Sequence, residues 1–184
     1  MTQNTAWRNV EKAIANLKRA RVLTPTKIDS ISERTLARHI RPAGYYNVKA
    51  RRLKNFIRFF AERYAGRIGR LQEQDMHVLR EQLLAVNGIG PETCDSILLY
   101  ALNKPVFVID AYTKRILSRH GAHREDGTYD HVQELFMKSL PRSAKLYNEY
   151  HALIVRLAKE RCRVKPRCDG CVLRGREISC KVRG

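Results

Sequence analysis

Apolar positions recur at three- and four-residue intervals along nearly the whole chain, the signature of helices with one buried face. Trp7, Val10, Ile14 and Leu17 mark the first of these, and Thr24-Pro25-Thr26 is expected to break it. Ser30 followed by Glu33 has the form of a capping box for a short helix carrying Leu36 and Ile40, and Pro42-Ala43-Gly44 then predicts a turn. The stretch from Asn47 to about Ala65 is the clearest amphipathic helix. Leu53, Phe56, Ile57, Phe60 and Tyr64 form its stripe, and Lys49, Arg51, Arg52, Lys54, Arg58 and Arg63 are expected on a mostly solvated face. Asp75 is positioned to cap a helix through Leu84. Pro91 starts another that runs to about Leu102, and Val106-Phe107-Val108-Ile109 reads as a short buried segment leading to Asp110. A helix from Asp110 to Gly121 and two more near Tyr129–Ser139 and Arg142–Glu160 complete the pattern. No sustained period-two alternation occurs, so the expected fold class is all-α.

Composition narrows the partner. The chain has 184 residues, enough for a core without disulfides, and a net charge of +18 with a pI near 10.2. Such an excess of Lys and Arg suits a polyanion, and nucleic acid is expected before an anionic membrane surface, because the basic residues are spread over helices that also carry core stripes. The longest apolar run, Ile97 to Leu102, is far too short to span a bilayer. The first residues have no apolar stretch after a basic start, so no secretory signal and a cytoplasmic location are expected.

Three constellations carry candidate chemistry. In Val86-Asn87-Gly88-Ile89-Gly90, two glycines let the backbone turn tightly and approach a ligand, and the helix start that follows favours an anion such as a DNA phosphate. An ordinary turn between helices would read the same way. Asp110 lies 20 residues after Gly90, at a helix start where a carboxylate is also a common cap. Four of the five cysteines form a third group with the spacing Cys162-x5-Cys168-x2-Cys171-x8-Cys180, and Cys94 stands apart. In a reducing compartment such a cluster suggests a metal site; spacing alone admits structural zinc or a four-iron cluster.

The stretch from Leu83 to Ile116, LLAVNGIGPETCDSILLYALNKPVFVIDAYTKRI, resembles the helix-hairpin-helix, Gly/Pro-rich loop and aspartate motif of the endonuclease III superfamily of DNA glycosylases. The four C-terminal cysteines are similar to that family's iron–sulfur loop, and Thr2-Gln3-Asn4-Thr5 and Gly44-Tyr45-Tyr46-Asn47 also match family positions. The resemblance spans nearly the whole chain. It implies a helical bundle over 1–120, with the helix-hairpin-helix at about 75–102, and a C-terminal part over 121–184 that carries the iron–sulfur loop. The family has a further helix before the Thr-Gln-Asn-Thr segment. Here the chain starts on that segment, so an exposed apolar face is expected on Arg142–Glu160.

The resemblance also implies an activity: excision of a damaged base from double-stranded DNA by a monomeric enzyme that flips the base out of the helix. Asp110 would stabilise positive charge developing on the deoxyribose and activate the nucleophile. Family members that also cut the backbone carry a lysine just after the hairpin. In this sequence that position is Glu92, between Pro91 and Thr93. A monofunctional enzyme with water as nucleophile is therefore expected, similar to the branch that removes 3-methyladenine and related alkylated purines. Endonuclease III-like lyase activity on oxidised pyrimidines, and a catalytically silent DNA-binding protein, are the rival expectations. Glu92 would line the base pocket or cap its helix. Trp7 would stack on the lesion or join the core. Gln3 would fill the gap left by the flipped base, and Tyr45 would wedge beside its estranged partner or pack on the surface. By family position, Cys162, Cys168, Cys171 and Cys180 would hold a [4Fe–4S] cluster within a loop whose surplus of arginine and lysine meets phosphates.

Overall fold

The computed structural model describes residues 2, 5–123, 127–174 and 180. Among these the regular structure is helical, with no strand, and the chain divides into two compact units, Met1–Gly90 and Pro91–Gly184. No helix among the described residues is long and apolar enough to cross a membrane.

The first unit contains α1 (Trp7–Arg19), α2 (Pro25–Ser30), α3 (Glu33–His39), a 3-10 turn (Arg41–Ala43), α4 (Tyr46–Tyr64), α5 (Ile68–Glu73) and α6 (Met76–Leu84). Its core is built from Ala13, Leu17, Ile28, Leu36, Ala37, Ile40, Ala43, Ala50 and Ile57. Each buried Leu or Ile contributes about 1.5–3 kcal/mol, and the alanines let the helix backbones approach closely.

Local rules misplace three features here. The Thr24-Pro25 break is itself a helix start, in which the Thr24 hydroxyl accepts from the Lys27 amide and Pro25 occupies the first turn. The cap of α3 is Ser32, whose hydroxyl accepts from the Thr35 amide, rather than Ser30, which donates back to the Lys27 carbonyl. Lys54, expected on the solvated face of α4, is buried, and its ammonium donates to the Asp29 carbonyl at 2.7 Å. That bond satisfies a carbonyl in the last turn of α2, which a cation is suited to cap.

The second unit begins with α7 (Pro91–Ser96), which widens into a π-type turn (Ile97–Ala101). Residues 103–110 are non-helical, and Val106, Phe107, Val108 and Ile109 are each almost wholly buried. Then follow α8 (Ala111–Arg119), α9 (Tyr129–Ser139) and α10 (Ala144–Glu160). Phe107 anchors the packing. It stacks on Phe136 with centroids 4.0 Å apart and meets the edges of Tyr147 and Tyr150. The expected apolar face of the last helix is present: Tyr150 and Leu153 are exposed and line, with Ile116, Phe136 and Val172, a groove of about 630 Å³.

A buried extended segment must place its backbone polar groups, because no helical ladder does so. Gln133 on α9 donates through Nε2 to the Phe107 carbonyl at 2.6 Å and to Asp95 Oδ2 at 2.7 Å. The Tyr129 hydroxyl donates to the same Asp95 oxygen at 2.8 Å and accepts from the Ile109 amide at 3.3 Å. Removing Gln133 strands a buried carbonyl and part of a buried carboxylate, each costing about 1–3 kcal/mol. Gln133→Leu is therefore expected to lower stability by about 2–4 kcal/mol, read as a reduced urea midpoint with an unchanged slope.

Candidate active site

Asp110 caps α8. Its Oδ1 accepts from the Thr113 amide and the Thr113 hydroxyl, both at 2.8 Å. The side chain is only 14% exposed, and its other oxygen lies 3.5 Å from Nε2 of His151 on α10, itself 11% exposed. Burial pushes the carboxyl pKa up. His151 and the two Thr113 donors outweigh that and hold it below the usual carboxylate value. The ring is oriented from its far side, where the Tyr100 hydroxyl lies 2.5 Å from Nδ1. Burial and the Asp110 charge push the Tyr100 phenol up to about 12, so it keeps its proton at neutral pH.

Glu92 stands in the first turn of α7. The residue as a whole is exposed, yet surrounding protein displaces water from the carboxyl. That loss of hydration raises its pKa, the negative charge of Asp110 raises it further, and His151 opposes both. One carboxyl is thus held ionised and the other is eased toward its neutral form. Such a split separates the roles that two neighbouring acids can play.

Of the residues singled out from sequence, Glu92 and Asp110 share this site, together with Tyr100 and His151, which the sequence did not single out. The only sequence signal for His151 is its place on the buried stripe of α10, with Tyr147, Ile154 and Ala158. Tyr100 sits inside the apolar run Ile97–Leu102, where it reads as core. Asp95 is the buried anchor of the 106–109 segment, through Tyr129 and Gln133.

Within the first unit, the turn after α6 holds Val86-Asn87-Gly88-Ile89-Gly90. Val86 and Ile89 are buried, so they offer a ligand backbone only, while Asn87 is exposed with its carbonyl accepting from Asn55. Gly88 has φ +98°, and a Cβ there would collide with the Arg52 side chain. Glycine is required at that position on both counts. Trp7 is 58% exposed, which removes it from the core. Tyr45 is 75% exposed and left-handed at φ 45°, on the turn that starts α4. Gln3 lies outside the described residues, as does Asn4.

At the C-terminus, Cys162 is buried, Cys168 and Cys171 are half-buried, and Cys180 is exposed. Residues 175–179 and 181–184 lie outside the described residues, among them Arg176, Glu177, Lys181 and Arg183. Among the described residues no group of three or more His, Cys, Asp or Glu side chains is arranged to hold a metal ion. Arg119 donates to Cys162 Sγ at 3.3 Å and to the Val164 carbonyl at 2.9 Å, and Arg115 donates to the Ala158 and Cys162 carbonyls. Soft sulfur donors are the ligands that zinc and iron–sulfur groups take, so the chemistry of the cysteine set fits such a group. Several basic residues of the loop are engaged internally: Arg161 with the Asp169 carbonyl, Arg174 with the Asp169 carboxylate and Arg163 with the Lys159 carbonyl.

This helical frame and its capped, shielded aspartate define a class. Residues 1–142 match the HhH-GPD superfamily of base excision DNA repair proteins, and the chain belongs to it. It is a DNA repair glycosylase of that family. A candidate DNA repair glycosylase of Methanocaldococcus jannaschii is 49% identical over 95% of this chain and 80% of its own length. Endonuclease III of Sulfolobus acidocaldarius is 34% identical over 83% of this chain and 66% of its own. Among solved structures, the 3-methyladenine DNA glycosylase of H. pylori bound to 1,N6-ethenoadenine superposes with a TM-score of 0.77 at 33% identity, covering 86% of this chain and 80% of that one.

Titration of side-chain carboxyl carbons by NMR is expected to place Asp110 below and Glu92 above the ordinary carboxylate range. Because the Asp110 charge is one cause of the Glu92 shift, Asp110→Asn should bring Glu92 back down. A Glu92 midpoint that ignores the substitution would show that the two carboxyls do not sense each other.

Proposed function

We propose that the protein hydrolyses the N-glycosidic bond of an alkylated purine in double-stranded DNA, as a monofunctional glycosylase acting on a flipped-out base. The observation that carries this reading is the pairing of a shielded, ionised Asp110 with Glu92, rather than a lysine, at the position after the hairpin. A purine alkylated on the ring already carries positive charge, so the bond pair leaves with the base and neutralises it without a strong general acid. The deoxyribose is left cationic at C1′. Asp110 supports that charge at short range in a site of low water content, and the oxygen of a water molecule then bonds C1′ as its proton is released. No amine at position 92 competes for C1′, so no Schiff base forms there. The likeness to the H. pylori 3-methyladenine glycosylase supports this substrate class.

Duplex DNA is the partner that the net charge of +18 calls for. The Val86–Gly90 backbone would meet a phosphate. Trp7 would stack on the cationic base, and Tyr45, held in a left-handed turn with its ring in solvent, would enter the helix beside the orphaned base. Gln3 would fill the gap. Cys162, Cys168, Cys171 and Cys180 would hold a [4Fe–4S] cluster, which would fix the shape of the basic loop.

Asp110→Asn keeps the cap and removes the charge. Base release from methylated duplex DNA should fall about a thousandfold, equivalent to ~4 kcal/mol of barrier, with folding and DNA affinity retained. Release at the parent rate would mean that Asp110 is a helix cap only. The identity to endonuclease III gives the lyase reading its support. Borohydride trapping on abasic DNA separates the two, and no covalent adduct is expected. Release of no base from any lesion would leave a DNA-binding protein without catalysis.

Purified protein is expected to be brown and to contain iron and sulfide that Cys168→Ser and Cys171→Ser deplete, while Cys94→Ala leaves both unchanged. Stoichiometric zinc without iron would replace the cluster by a zinc site.

A further inference from the structure

His151 and Tyr100 have no part in the reading above beyond lying next to Asp110. They form a chain of contacts from one side of α10 to the aspartate: the Tyr100 hydroxyl to Nδ1 at 2.5 Å, then Nε2 to Asp110 Oδ2 at 3.5 Å. The imidazole is buried, and its Nε2 has no hydrogen-bond partner within normal geometry. A buried donor in that state is costly unless something answers it. The nearest acceptor is the carboxylate that the reaction uses, and contacts of this kind tighten when substrate completes a site.

The tautomer follows from the partners. The Asp110 carboxylate facing Nε2 assigns the ring proton to that nitrogen, which leaves Nδ1 to accept from the Tyr100 hydroxyl. Thr113 fixes one carboxylate oxygen and Nε2 of His151 faces the other at 3.5 Å, so tightening of that contact would set the carboxylate plane from both ends. Restricting that plane keeps the charge aimed at one point, which is what electrostatic support of a transient cation requires.

We propose that His151 is a positioning residue for base excision, with Tyr100 as the group that fixes its tautomer. The inference rests on Asp110 being the catalytic carboxylate. His151 acts through Asp110, holding it ionised and aimed, and need not touch the DNA. The titratable groups facing the carboxylate are Glu92 from α7, Tyr100 from the π-type turn and His151 from α10, with the Thr113 donors on its own helix. Glu92 works against ionisation of Asp110 when charged, and His151 works for it.

The test is the single-turnover rate of base release from methylated duplex DNA across pH, with DNA affinity and melting temperature measured in parallel. His151→Leu removes the donor and should lower the rate about tenfold or more at neutral pH, with affinity unchanged. Its acid limb should move to higher pH, because Asp110 then protonates more easily. His151→Gln puts an amide donor near the place of Nε2 and should recover most of the rate. Tyr100→Phe should lower the rate about threefold, and ring ¹⁵N shifts should show the Nε2-protonated tautomer in the parent protein and a mixture in this variant. Glu92→Gln should move the acid limb the opposite way. If folded His151→Leu keeps the parent rate and acid limb, His151 is a packing residue and the proposal is overturned. If that variant does not fold, the tautomer and rate of Tyr100→Phe decide, and an Nδ1-protonated ring in the parent protein overturns it. Loss of activity in Asp110→Asn with none in the His151 variants leaves the function standing without this inference. Parent-level activity in Asp110→Asn removes the function itself.

Discussion

The second unit depends on how one buried extended segment pays for its backbone. Val106–Ile109 is buried, Phe107 lies among aromatic rings, and two of the segment's polar groups, the Phe107 carbonyl and the Ile109 amide, are met by side chains. Gln133 and Tyr129 from α9 supply those partners, and both are themselves held by the Asp95 carboxylate. This arrangement sets where the chain emerges and so where Asp110 begins α8. A shift of the segment would move the aspartate relative to α10 and separate it from His151. Stability of the core and geometry of the site are therefore the same physical problem in this unit.

The candidate site divides two carboxyl groups. Asp110 is shielded from water, a condition that alone would favour its neutral form, yet Thr113 and His151 reverse the outcome. Glu92 lacks comparable donors, so loss of hydration and the neighbouring charge prevail. Neither behaviour follows from residue type. The difference comes from which carboxyl faces hydrogen-bond donors, and that is a matter of helix starts and of the face α10 turns inward. The same principle governs Lys54, whose burial is tolerated because it meets a carbonyl at the end of α2.

The helical periodicity, the Gly88 turn and the buried run before Asp110 were legible along the chain because they rest on local rules: spacing of apolar residues, a positive φ, a carboxylate at a helix start. Boundaries were less secure. Ser32 rather than Ser30 caps α3, since neighbouring serines compete and the register of the helix chooses between them. The short helix α5 carries too few apolar positions to declare itself. The cysteine spacing marked a candidate metal site by itself, whereas the roles of Asp110 and Glu92 came from the family resemblance, and no local rule could have ranked them.

His151 and Tyr100 were out of reach of any such reading. They are 51 residues apart, and each has the look of an interior residue on its own helix. What makes them partners is that α10 and the turn at Ile97–Ala101 pack so that a phenol, an imidazole and a carboxylate fall in line. Sequence alone determined that this chain is helical, strongly basic and furnished with a hairpin and an aspartate of known kind. Packing settled which polar groups lie within reach of that aspartate, because hydrogen bonding and loss of hydration act over a few ångströms in space, whatever the distance along the chain.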